Sequence, residues 1–262
     1  GLNWYVYCAN DPVNMVDPWG LWMEGDEKLS PQAQLYTKYY GQKWEESKVQ
    51  YNRAKRANDI EGMHAAERDM SSWHEKAEDI RYLDSIGKVY GGQVEVTHIF
   101  QGMESICFAA DALMVYGYYK GIDFTFQDAM KYSEYVESTA DGDIETSHFV
   151  AGLRIGYDKE HDGWLASKFT ECGNSPLIAE FAQIYDTDEP GHVVVVSGTA
   201  YAQGHVPLVK YNDSNRIINF GATIVTLNDF ANLYSKESMQ LVGFINPSMT
   251  YIENVVKNAN IL

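Results

Sequence analysis

Four places in the second half of the chain carry residue types that could together perform acyl transfer: Gln101, Cys107, His192 and the pair Asn212-Asp213. A cysteine nucleophile needs a base to take its proton, and it needs donors to receive the charge that develops on the attacked carbonyl oxygen. Cys107 lies in QGMESICFAADALM, six positions after Gln101, where an alanine-rich run begins a helix. In a first helical turn, the free N–H groups and the positive end of the dipole favour a thiolate. A glutamine on the preceding loop can set its side-chain NH2 beside the Cys107 backbone N–H, giving two oxyanion donors. The stretch also has a purely structural reading. Cys107, Ala110, Met114 and Tyr118 share one apolar helical face, and cysteine is often buried.

The base must come from another element. His192 stands in PGHVVVVSG, a glycine-entered and fully apolar strand, whereas His205 in GHVP meets a proline two residues on that marks an edge or irregular start. His192 is therefore the expected base. His98, His148 and His161 have no supporting context. The base should be held by a third polar group on the next strand, Val206–Tyr211, which runs into Asn212-Asp213-Ser214. Neighbouring strand residues face opposite ways, so only one of the pair can turn to His192. Asp213 shares its parity with Val209 and Tyr211 and is preferred, with Asn212 as the alternative orienter.

These residues need a scaffold that joins a helix to strands. Thr226-Leu227-Asn228-Asp229-Phe230 reads as a helix start, Ser175-Pro176-Leu177-Ile178-Ala179 as the beginning of a strand, and QVEVTHIFQ (93–101) as a short alternating strand. Helices are expected over Phe126–Glu137 and Glu145–Gly152. Upstream, Ser30-Pro31 can cap a helix carrying Leu35, Tyr36, Tyr39, Tyr40 and Trp44. Asn58-Asp59 breaks it and can cap a second, whose apolar stripe runs Met63, Ala66, Met70, Trp73, Ala77, Ile80. The expectation is an antiparallel helical hairpin without chemistry, ending near Gly87 or Gly91-Gly92, followed by an α+β domain.

Composition narrows the function classes. The 262 residues are 45% hydrophobic and 13% aromatic, as in a globular protein with a substantial core. A net charge of −17 disfavours nucleic acid and anionic membrane surfaces as partners. No stretch is apolar enough to span a membrane, and GLNWYVYCAN lacks the pattern of a signal peptide. The three cysteines, Cys8, Cys107 and Cys172, form neither a disulfide framework nor a metal-ligand spacing. The chemistry outlined needs no metal or organic cofactor.

Two resemblances extend this reading. The opening GLNWYVYCANDPVNMVDPWGLW resembles the end of the core of Rhs/YD-repeat proteins, through Gly1-Leu2-Asn3, Tyr5, Tyr7, Asn10, Pro12 and Asp17-Pro18-Trp19-Gly20-Leu21, with Asp11 where that family usually has asparagine. In that family this element closes a β-cage, and self-cleavage after its leucine frees a C-terminal toxin. The resemblance implies a cage remnant over 1–22, with a scissile Leu21–Trp22 bond and Asp17 as one cleaving carboxylate; the usual partner aspartate would lie upstream of residue 1. It further implies a helical connector over 23–92 and an effector over 93–262, released by a route without a signal peptide to act in the cytoplasm of a target cell, with a cognate immunity protein as partner.

The second resemblance covers about 93–245. Gln101, Cys107-Phe108-Ala109-Ala110, Tyr118-Tyr119-Lys120-Gly121, Gly191-His192-Val193-Val194-Val195-Val196-Ser197-Gly198 and Asn212-Asp213 are similar, in order and in element, to papain-like cysteine peptidases, most of all to the bacteriocin-leader type, though Ser214 stands where that type has proline. This implies a papain-like α+β fold and a Cys107–His192–Asp213 triad with Gln101 as oxyanion donor, acting on amide bonds of a protein substrate. Glutamine deamidation and transamidation use the same machinery and stay open beside peptide cleavage. A catalytically silent binding module of the same fold stays open too. A nuclease, common among Rhs ends, is disfavoured by the charge and by the lack of a His/Asp/Glu metal cluster.

Overall fold

A computed structural model of the chain describes residues 25–101, 106–140, 146–184, 191–215 and 222–262. Asp17, Leu21 and Trp22 lie outside the described residues, as does Cys8. The chain divides into two compact units, Gly1–Val89 and Tyr90–Leu262.

The first unit contains a helical hairpin of α1 (Pro31–Ala57) and α2 (Ile60–Ser85). Ser30 caps α1 by accepting from the Ala33 N–H, with Pro31 at the first helical position. Asn58 ends α1 in the left-handed conformation at φ 53°, and Asp59 caps α2 by accepting from the Gly62 N–H at 2.9 Å. Tyr40 stacks on Tyr36 of its own helix and on Trp73 of α2, with centroids 5.8 and 6.0 Å apart. Arg81 grips the buried Asp26 carboxylate through two nitrogens at 2.7 and 2.8 Å, so that charge is matched where it is buried.

The second unit continues from β1 (Val89–Gln93) through α3 (Cys107–Lys120), α4 (Phe126–Thr139), α5 (Thr146–Phe149), β2 (Gly152–Gly156), α6 (Trp164–Glu171), β3 (Leu177–Gln183), β4 (His192–Ala202), β5 (Leu208–Asn212), β6 (Thr223–Thr226), α7 (Leu227–Ala231), β7 (Met239–Pro247) and α8 (Met249–Asn258). The strands form one sheet in the order β2-β7-β3-β4-β5-β6, every pair along it antiparallel, with β1 pairing with β4. The fold class is α+β, as expected.

Alternation in β4 divides the core. Val193 and Val195 face one way, into a cluster with Leu113, Ala129, Ile252 and Val256 from α3, α4 and α8. Val194 and Val196 face the other way, toward Phe169, Phe230 and Tyr234. The sheet is thus covered on both faces, which is why β4 reads as an unbroken apolar run. Helix α3 is buried from Cys107 to Gly117 on every side, not on one stripe alone, because β3, β4, α4, α5 and α8 all pack against it.

Two sequence expectations shift. Residues 94–100 form no strand. The pairing occurs upstream in β1, because Gly91 and Gly198 let the two backbones approach closely: a Cβ on Gly91 would meet Thr199 O at 2.2 Å, and one on Gly198 would meet Gln93 Cβ at 2.8 Å. The helix expected over Glu145–Gly152 is a single turn, α5, and Gly152 already belongs to β2, where its Cα pairs with Pro247. Strand β7, which lies between β2 and β3, and helix α8 were not anticipated.

Leu113 is fully buried at the centre of α3. Leu113→Ala should lower stability by about 2–5 kcal/mol with little change in m-value, as measured by urea titration followed by circular dichroism.

Candidate active site

Helix α3 delivers Cys107 at its first position. Its cap, Ile106, provides no side-chain acceptor, so the first-turn N–H groups remain available for other partners. The thiol is 7% exposed. Burial pushes it up to about 12, and the charge of Asp111 one turn along adds to that; the N–H groups of Val193 and Phe108 act the other way on the sulfur, and Asp213 again raises it. Cys107 is therefore a neutral thiol. At this depth of burial the pull of the helix start toward a thiolate does not offset desolvation.

His192 is the first residue of β4, and Gly191 before it is sterically required: a Cβ there would sit 2.0 Å from Phe181 O on β3. The His192 ring packs edge-on against Tyr234, centroids 4.7 Å apart, and its Nε2 lies 3.1 Å from Asp213 Oδ1. An ionised carboxylate can only accept, so Nε2 carries a proton toward it. The N–H of the next residue, Val193, bears on the Cys107 sulfur.

Asp213 follows the last residue of β5 and is 5% exposed. Burial alone would raise it, but the hydrogen bonds from His192 and from the Tyr234 hydroxyl (2.6 Å to Oδ2), the His192 charge and the Asn215 N–H (3.0 Å) together hold it below its ordinary range. Its neighbour Asn212 points away and accepts from the Ser197 hydroxyl at 3.0 Å. The residue facing His192 is thus Asp213, as strand parity requires.

Gln101 is joined to the end of β5 at two points. Its backbone N–H donates to Ser214 O at 2.9 Å, and the Ser214 hydroxyl donates to its Oε1 at 3.0 Å. The Gln101 NH2 has no hydrogen-bond partner among the described residues. Lys210 of β5 braces the same loop from below, donating to Glu95 Oε1 at 2.6 Å and to Val94 O at 3.2 Å.

Three residues near this group carried no signal in the sequence. Tyr234 lies on the turn after α7. Asp111 is an acid within an otherwise apolar helical run. His98 lies within reach of the Asp213 charge; its ring nitrogens are buried without a hydrogen-bond partner among the described residues, and burial holds its pKa down against the pull of Asp213. Two other histidines weighed in the sequence are elsewhere: His161 pairs with Asp158 at 2.7 Å on the surface, and His205 is on the turn after β4. A surface hollow of about 610 Å³ beside Asp158, His161, Trp164 and Tyr201 contains none of the site residues; of the four acids that line it, Asp158 pairs with His161 and Glu171 with Lys168. Among the described residues there is no group of three or more His, Cys, Asp or Glu placed to hold a metal, and no helix is long and apolar enough to cross a membrane.

Because Asp213 is held below 3.8 in the fold, its contribution to stability is fully present above that value and is lost as pH falls through the lower folded value. The stability gap between the wild type and Asp213→Asn should be constant from neutral pH to about pH 5 and narrow on further acidification, as read by urea titrations at stepped pH. A gap that does not narrow would mean that the carboxylate is not stabilised in its ionised form. Comparison of the chain with family models, with curated proteins and with solved structures gives no match.

Proposed function

We propose that the unit Tyr90–Leu262 is a papain-like cysteine hydrolase that cleaves protein amide bonds, and that the chain is the toxin-bearing end of an Rhs-type protein. The observation that supports the chemistry best is the buried His192–Asp213 contact at 3.1 Å, with the charge of the same Asp213 reaching the Cys107 thiol. A histidine with one nitrogen committed to a buried carboxylate, together with a cysteine at a helix start in the same unit, fits general-base activation of that cysteine.

His192 Nδ1 takes the Cys107 proton as the sulfur attacks the carbonyl carbon. The Gln101 NH2 and the Cys107 N–H receive the oxyanion. The imidazolium, steadied by Asp213, returns its proton to the leaving amine as the C–N bond breaks. Water, deprotonated by His192, then hydrolyses the thioester. Because the thiol is neutral at rest, transfer of its proton belongs to the attack and not to a preceding equilibrium.

The toxin assignment is supported by the Asp17-Pro18-Trp19-Gly20-Leu21 sequence and by the helical hairpin that separates it from the candidate site. It carries with it an Rhs cage in the full-length protein, a substrate in the cytoplasm of the target cell and an immunity protein in the producer. The acidic surface of this chain would suit a basic patch on that immunity protein.

Expression in a sensitive bacterial cell should be toxic for the wild type and harmless for Cys107→Ala and His192→Ala. Equal toxicity of wild type and Cys107→Ala would eliminate the thiol mechanism. Intact masses of cellular proteins should show fragments; the roughly one-dalton gain of an amide-to-acid conversion would instead identify a deamidase with the same machinery.

A further inference from the structure

Strand β2 is one edge of the sheet: β7 pairs with its inner side, and among the described residues no strand pairs with its outer side. A row of unpaired N–H and C=O groups is a template for another strand, so edges are usually short, bulged, charged or covered. The opposite edge follows that rule. β6 has four residues and leads at once into α7, with Thr226 as the cap. β2 is less defended. It reads Gly152-Leu153-Arg154-Ile155-Gly156, contains no proline, and pairs with β7 over its whole length without a bulge. Beyond that ladder its backbone makes no hydrogen bond among the described residues. Leu153 is 66% exposed, and Gly152, Arg154 and Gly156 are exposed as well.

The sequence of this edge is complementary to itself. Antiparallel pairing centred on Arg154 sets Gly152 opposite Gly156, Leu153 opposite Ile155, and Arg154 opposite its own copy. Arg154 pairs with Ile245, which belongs to the α3 and α8 side of the core, so Leu153 and Ile155 stand on the other face. There Ile155 already packs against the cluster of Phe169 and Phe230. The pairing would cover each exposed Leu153 with the partner's Ile155 and leave only glycines beside the two arginines. Each guanidinium donates to Glu180 Oε2 of its own copy at 2.9 Å, so the centre would hold two ion pairs and not two bare cations. We infer that β2 pairs antiparallel with β2 of a second copy of this chain, across a twofold axis at Arg154, and joins the two sheets into one. A five-residue edge buries little surface, and a charge of −17 on each copy opposes approach, so the dimer is weak and is strengthened by salt. This inference does not depend on the thiol chemistry.

Sedimentation velocity from about 1 µM to about 1 mM, at low and at high salt, tests the association. The wild type should pass from monomer to dimer as concentration rises, and the dimer fraction should grow with salt as screening removes the repulsion between acidic copies. Leu153→Lys makes the chain less negative, yet it should raise the dimer dissociation constant about tenfold, because both Leu153–Ile155 contacts are lost. Cross-linking reads the register. With Cys8 and Cys172 replaced by serine, Arg154→Cys sets a thiol opposite its own copy, within reach of a disulfide. It should therefore yield covalent dimer under mild oxidation, whereas Leu153→Cys, whose counterpart lies diagonally across the pair, should yield little. Positions 153 and 154 are exposed, so these variants should fold, which circular dichroism checks; if Leu153→Lys does not, the two cross-linking variants decide. A wild type that stays monomeric throughout would overturn the pairing and leave the edge to a strand of another protein. Association that fades with salt, a folded Leu153→Lys that associates like the wild type, or equal cross-linking through positions 153 and 154 would overturn it too.

Discussion

A single buried negative charge organises the end of the sheet around β5. The Asp213 carboxylate is withdrawn from water, and an unmatched charge there would be prohibitive, so the surrounding fold must bring donors to it. They come from His192 at the start of β4, from the Tyr234 hydroxyl and from the turn N–H of Asn215. Each donor fixes a different piece of chain against the end of β5. The edge-on packing of Tyr234 against the imidazole then restricts the ring to the plane in which Nε2 meets the carboxylate. The field of the same charge extends to Cys107, Asp111 and His98, which makes it the electrostatic reference for every ionisable group nearby.

The consequence for the thiol runs against simple intuition about helix starts. A macrodipole contributes at most about 2 kcal/mol in favourable sites, whereas burying an ion is far more costly. At Cys107, desolvation dominates and the two nearby acids add to it. The dipole and the N–H groups of Val193 and Phe108 soften the outcome without reversing it. Reactivity at such a sulfur depends on a base that takes its proton as the sulfur attacks.

Much of this was legible in the sequence wherever a local rule coincided with the tertiary demand. Ser30-Pro31 and Asn58-Asp59 bound their helices by capping chemistry that acts within a few residues, and the sheet-buried β4 shows as an uninterrupted apolar run. The choice of Asp213 over Asn212 followed from strand parity together with the Asn-Asp pattern of the resembled peptidases. What escaped was set by distant partners. β7 pairs with β2 and β3, segments far from it in sequence, and no residue in Met239–Pro247 announces that role. Residues 93–101 alternate like a strand, yet Gly91 and Gly198 draw the pairing upstream to where backbones can meet. Asp111 is invisible in an amphipathic reading of α3, because that helix is enclosed on all sides and has no polar face on which an acid would be ordinary.

The burial of Cys107 has a further consequence for the lifetime of the protein. Oxidants, like electrophiles, react with the thiolate, and the ladder from sulfenic to sulfonic acid begins there. A thiol that is 7% exposed and held neutral is therefore a slow target for peroxide and for disulfide exchange. The same enclosure preserves this sulfur chemically, in oxidising surroundings as well as reducing ones.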